Sequence, residues 1–118
     1  MSAHNEFYEI ESALRPGAST AAAGTTTTDA GVLPAATARL YPVTAADDTK
    51  GVRINVADLA EDRILFIANG VSNKILKIYP PTGGTINGAS ANSSWSTVSG
   101  GGGILVCTSV TSNTWYAF

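Results

Sequence analysis

The tightest constraint on this chain is a pair of prolines followed by a pair of glycines, Pro80-Pro81-Thr82-Gly83-Gly84, set directly behind an alternating run. In Lys74-Ile75-Leu76-Lys77-Ile78-Tyr79 the spacing sends Leu76 and Ile78 to one face and Lys77 and Tyr79 to the other, which is the two-residue period of a strand. Pro80 removes a ladder donor and ends that strand, while Pro81 presets the second position of a turn that Gly83 completes. Ile86 follows as a lone apolar anchor. Asn87-Gly88 behind it is the pair best able to take the positive φ values of a two-residue hairpin turn.

The same punctuation recurs through the body of the chain. Short apolar runs separated by turn residues predict strands near 37–43, 51–57, 63–69, 74–80, 92–98, 103–109 and 113–118, the spacing of a small antiparallel β-sandwich or barrel of jelly-roll type. Val52, Ile54 and Val56 alternate with Arg53 and Asn55, so that strand has one wet face. Ile64-Leu65-Phe66-Ile67-Ala68 has no polar member and is expected at the centre with both faces covered, one by the opposing sheet and the other by a neighbouring subunit or a loop.

Residues 1–34 read differently and are expected to form an N-terminal arm or linker ahead of a body domain over 35–118. Phe7, Ile10 and Leu14 sit at helical spacing among Glu6, Glu9 and Glu11, so one short amphipathic helix before Pro16-Gly17 competes with a frayed end. Residues 18–31 hold no side chain larger than Thr or Asp and cannot build a core of their own. An extended arm held by another copy or by a larger assembly is the expectation.

Little in the sequence points to catalysis. Cys107 is the single cysteine and reads as a small core residue, because the one histidine, His4, lies near the N-terminus and no base is in view for a nucleophile. Asp47, Asp48, Asp58, Glu61 and Asp62 fall in predicted loops without the ligand spacing of a calcium loop, so no metal and no cofactor is expected. Gly100 to Gly103 lead into a strand with no Lys-Ser or Lys-Thr, which excludes a Walker loop, and Asn92-Ser93-Ser94 has no secretion signal to make its glycosylation triplet meaningful. A formal charge of −2 with scattered Lys and Arg gives no nucleic-acid footprint, and no apolar run is long enough to span a membrane. Synthesis in a cytoplasm follows.

Aromatic residues carry the remaining signals. Trp115-Tyr116-Ala117-Phe118 sends Trp115 to one strand face and Tyr116 and Phe118 to the other, which suits a core on one side and a subunit contact on the other. The competing reading is an edge strand that closes its own sheet. Trp95, Tyr79 and Trp115 would, if exposed together, make a stacking platform for a saccharide.

The order Gly51 to Val56, Ile67 to Asn73, Lys77 to Gly88, Ala91-Asn92 and Thr114 to Phe118 resembles a β-rich module of bacteriophage virion proteins. That resemblance covers roughly the last two thirds of the chain and implies a virion structural role, with head or tail left open. On it rests the expectation of a non-enzymatic capsid decoration (cement) protein, a homotrimer at the capsid surface that binds the major capsid protein and stabilises the assembled lattice. Phe7, Tyr8, Ile10 and Leu14 would make the arm contact, and Phe66, Trp115, Tyr116 and Phe118 the subunit interface. The alternative is a tail or fibre module that recognises a host saccharide.

Overall fold

A computed structural model describes residues 16–35 and 39–118. Among the described residues ten strands are found: β1 (Thr20–Ala21), β2 (Gly31–Val32), β3 (Leu40–Thr44), β4 (Gly51–Arg53), β5 (Ile64–Asn69), β6 (Lys77–Tyr79), β7 (Thr85–Ile86), β8 (Trp95–Ser96), β9 (Gly103–Ser109) and β10 (Thr114–Ala117). The described residues hold no α-helix, only a 3-10 turn over Val56–Asp58 that Asn55 caps by accepting the Ala57 amide.

The expected all-β class and the two sheets are present, but an antiparallel sandwich or barrel is not. From β1 to β6 the chain alternates between a six-stranded sheet ordered β1-β3-β5-β9-β10-β7 and a four-stranded sheet ordered β2-β4-β6-β8. Within each sheet these successive strands are parallel. Each coil therefore lays one strand in each sheet and then stacks on the previous coil, which is the arrangement of a β-solenoid. Leu40 stands opposite Phe66 and Gly51 opposite Lys77, so the second and third coils are related by a constant offset of 26 residues. Their corners stack as well. Asp48 and Ile75 exchange hydrogen bonds through the Asp48 amide and Oδ1, and Lys74 reaches Asp48 Oδ2 at 3.6 Å.

The last part of the chain closes the solenoid by antiparallel pairing. β8 runs against β6, and the β9–β10 hairpin runs against β5 and separates it from β7. A core of inward residues fills the space between the sheets: Tyr41 and Val43, Leu65 and Ile67, Leu105 and Cys107, and Trp115 from the large sheet, facing Val52, Ile54, Leu76 and Ile78 from the small one. Gly103 leaves room for the indole of Trp95, since a Cβ there would come within 2.6 Å of the ring.

Residues 16–34 are not an extended arm. Thr20 pairs with Val43 and Gly31 with Val52, Leu33 is fully buried, and Ala22, Thr27 and Ala30 are buried with it. This segment is the first coil, and small side chains suffice because its rung strands are only two residues long. Its rungs pair with those of the second coil. Pro16 bridges to Leu40 at the edge of the large sheet, and the proposed helix of residues 1–16 otherwise falls outside the described residues.

Several turns form as their chemistry dictates. Asn87 and Gly88 take φ of 54° and 75°, and Ile86 is buried, yet the flanking strand β7 runs parallel to β10 instead of forming a hairpin. Asn87 instead serves as an extra ladder residue, its side chain exchanging hydrogen bonds with the Ala117 backbone. The turn after Pro80 starts at Pro81, one position later than expected. Gly84 donates to the Pro81 carbonyl, and Gly83 supplies φ of 90° at the third position.

Candidate functional site

Two surfaces are candidates, one on the outside of each sheet. On the large sheet the outward residues are those between the core positions of β3, β5, β9 and β10. Register aligns Leu40, Phe66 and Ile104 in one row, and paired backbone bonds between Ile104 and Phe118 extend that row to Phe118. A second row runs Ile64, Val106, Tyr116. Phe118 is 73% exposed, Tyr116 45%, Ile64 40% and Ile104 39%. Of these four strands only β3 and β5 pair in parallel, and β5, β9 and β10 pair antiparallel, an arrangement in which one face can meet water. Large apolar side chains grouped on such a face mark a contact surface, and no strand or helix of the described residues crosses it.

Three of the four residues expected at a subunit interface, Phe66, Tyr116 and Phe118, are thus gathered on one face. Trp115 is not with them. Its side chain is fully buried on the inner side, and its Nε1 donates to Asn113 Oδ1 at 3.0 Å. The Asn113 side-chain amide in turn donates to the Pro81 and Thr82 carbonyls, so the indole is locked to the turn that follows β6. Phe7, Tyr8, Ile10 and Leu14 lie outside the described residues.

On the small sheet the outward residues are Lys77 and Tyr79 of β6 and Gly51 and Arg53 of β4. Gly51 is required here, because a Cβ would meet the Tyr79 ring at 2.6 Å. That gap lets the ring lie across the sheet and its hydroxyl donate to the Thr25 carbonyl at 2.7 Å. The loop of the first coil folds over this face, so Tyr79 is 4% exposed although it points outward. A groove of about 560 Å³ remains between that loop, Lys77, Thr82 and residues 92–94.

The expected aromatic platform for a saccharide does not form. Tyr79 is covered by the threonine loop, Trp115 is in the core, and Trp95 faces Ile78 and Gly103 between the sheets. No feature of the sequence marked the groove, because its walls come from residues 25–28 and 92–94, brought together only by the coil.

The ionisable groups serve local structure. Asp58 is fully buried, with Arg63 donating to Oδ1 at 2.6 Å and 2.9 Å and the Tyr41 hydroxyl at 3.4 Å from Oδ2. Asp47 accepts from the Thr49 hydroxyl and from the Thr49 and Lys50 amides, which holds its carboxyl down at about 2. Asp29 is lowered in the same way by the Thr26 hydroxyl and by nearby amides. Burial raises the Cys107 thiol, the opposite of what a nucleophile needs. Among the described residues no cluster of three or more His, Cys, Asp or Glu could hold a metal, and no helix is long and apolar enough to cross a membrane.

In comparisons with known proteins no family model, no curated protein and no solved structure matches this chain.

Proposed function

We propose that the protein is a non-enzymatic structural component of a bacteriophage particle: a capsid decoration protein that self-associates through the outer face of its large sheet and cements the assembled head. The observation that carries this reading is the exposed apolar face, with Phe66, Ile104 and Phe118 in one row and Ile64 and Tyr116 in the next. Such a face in water favours association, and a second copy of the same face is its simplest cover. The virion setting is supported by the resemblance in residues 51–118, and the preferred assembly is a homotrimer.

Attachment to the major capsid protein is assigned to residues 1–15, with Phe7, Tyr8, Ile10 and Leu14 as the apolar contacts. Several such segments on one oligomer would convert weak contacts into strong attachment by effective concentration. A protein that binds only the assembled lattice stabilises it by mass action. Deleting residues 1–15 should leave the oligomer intact and abolish binding to heads; undiminished binding would refute the assignment. The deletion must stop there, because residues 16–34 are part of the solenoid.

Gold labelling of intact particles with an antibody to the folded body tests the setting itself. The proposal expects many labels spread over the head. Label confined to the tail would replace it with the tail or fibre reading.

A further inference from the structure

We propose that the groove on the outside of the small sheet binds an acidic saccharide, with Lys77 taking the acid group and the surrounding hydroxyls taking the ring. This inference is independent of the virion reading and uses the opposite side of the molecule from the apolar face.

The walls of the groove are tied to the body of the protein by hydrogen bonds. Four consecutive threonines line it, and their loop is pinned at several points. Asp29 Oδ1 accepts from the Thr25 amide, the Thr26 amide and the Thr26 hydroxyl at 3.1, 2.8 and 2.7 Å. Gly24 permits this closure, since a Cβ there would strike the same carboxylate. The Tyr79 hydroxyl holds the Thr25 carbonyl, Arg53 Nη1 holds the Thr27 carbonyl at 2.7 Å, and the Thr27 hydroxyl donates to the Asn92 carbonyl at 2.7 Å. Asn92 Oδ1 accepts the Gly83 amide, which fixes the opposite wall.

Pinning the backbone leaves the remaining polar groups available. The hydroxyls of Thr25, Thr28, Thr82, Ser93 and Ser94 make no side-chain hydrogen bond to another described residue, although all five line the groove. Lys77 and Arg53 form no ion pair with a described residue, and the groove lining contains Lys77 and no carboxylate. The carboxylate of the threonine loop, Asp29, is occupied by that loop's own donors. A second recess of about 430 Å³ beside Arg53 shares Thr82 with the first, so two cations without an ion pair among the described residues stand along one path, Arg53 with one nitrogen given to the Thr27 carbonyl.

The chemistry of the walls selects the ligand class. A set of hydroxyls without partners among the described residues and one amide matches a polyhydroxylated ring, and a single ammonium matches one acid group. An apolar peptide would find no large aliphatic side chain in the lining. Nucleic acid would need a denser row of cations or an exposed aromatic face, and the ring of Tyr79 is covered.

The test is a titration of the ¹⁵N-labelled full chain, followed by amide shifts, with trigalacturonate, maltotriose and inorganic phosphate as separate probes. The proposal expects saturable shifts with trigalacturonate, concentrated at Thr25, Thr26, Thr28, Lys77, Ser93 and Ser94. Lys77→Gln should weaken that binding roughly tenfold or more, and Lys77→Arg should retain it. Thr28→Val, at an exposed residue whose hydroxyl bonds nothing else described, should weaken it without changing the melting temperature. Equal binding of maltotriose would overturn the role of the acid group, and equal binding of phosphate would overturn the role of the sugar ring. Absence of shifts at millimolar trigalacturonate, or unchanged affinity in Lys77→Gln, would overturn the site.

Discussion

Leu33→Ala asks whether residues 16–34 belong to the folded body. Leu33 is fully buried beneath the small sheet, and its amide donates to the Arg53 carbonyl at 3.0 Å, so the side chain is held at the junction of the first and second coils. Truncation removes a buried isobutyl group and leaves a cavity that the two-residue rungs around it are poorly able to fill. The expected cost is about 2 to 5 kcal/mol, the range for buried leucine truncations. For a domain between the usual small and medium sizes this is a fall in melting temperature of roughly 6 to 25 °C. Urea unfolding should show the midpoint lowered at an unchanged slope, because the same surface is still exposed on unfolding. A residue in an undocked arm would change stability by no more than about 0.5 kcal/mol. A value that small would refute the first coil, and with it the threonine-lined groove that the coil supports.

Other expectations follow from the same geometry. Trp115→Ala removes the largest fully buried side chain and the anchor of Asn113, and should cost about 3 to 5 kcal/mol in denaturant melts. A loss below about 1 kcal/mol would place the ring at the surface. Asp47 has a folded-state value near 2 against 3.8 for the free group, so it binds its proton less readily when folded. Its stabilising effect is present above about pH 4 and disappears as pH falls through about 2. The stability difference between wild type and Asp47→Asn should shrink over that interval, and a difference independent of pH would contradict the assignment.

How far the sequence could be read depended on whether the signal was local. β9 occupies Gly103–Ser109 as expected, and β5 and β10 fall within a residue of the expected runs, because a short apolar run bounded by turn residues is a local property of the strand itself. The sidedness of Trp115 against Tyr116 and Phe118 was legible for the same reason. Strand direction was not. A period of two is the same in parallel and antiparallel strands, and the Asn-Gly pair, normally a hairpin signal, here turns the chain at a sheet edge.

The missing signal was the repeat. Tyr41 and Val52 recur as Ile67 and Ile78 at one offset, and Asp48 and Lys74, separated by that same offset, form an ion pair at the coil corner. Self-similarity at a fixed period in the range of about 20 to 50 residues is the sequence signature of stacked coils, and here the period is 26. β1, β2 and β7 were missed because two-residue strands carry no periodicity at all, and they exist only because a neighbouring strand is already in place. Tyr79 shows the same limit. Alternation placed it outward correctly, but its burial comes from a loop that lies more than 50 residues earlier in the chain.

Sedimentation velocity of the full chain, beside an Ile104→Lys/Tyr116→Glu variant, tests the claim that the outer face of the large sheet is an interface between copies. Both substituted residues are exposed, so the circular dichroism and melting behaviour should be preserved. The wild type should sediment as a species of about 36 kDa, three times the 12.1 kDa chain, and the variant as a monomer. A wild-type chain that stays monomeric at high micromolar concentration, or a variant that assembles as the wild type does, would contradict the claim.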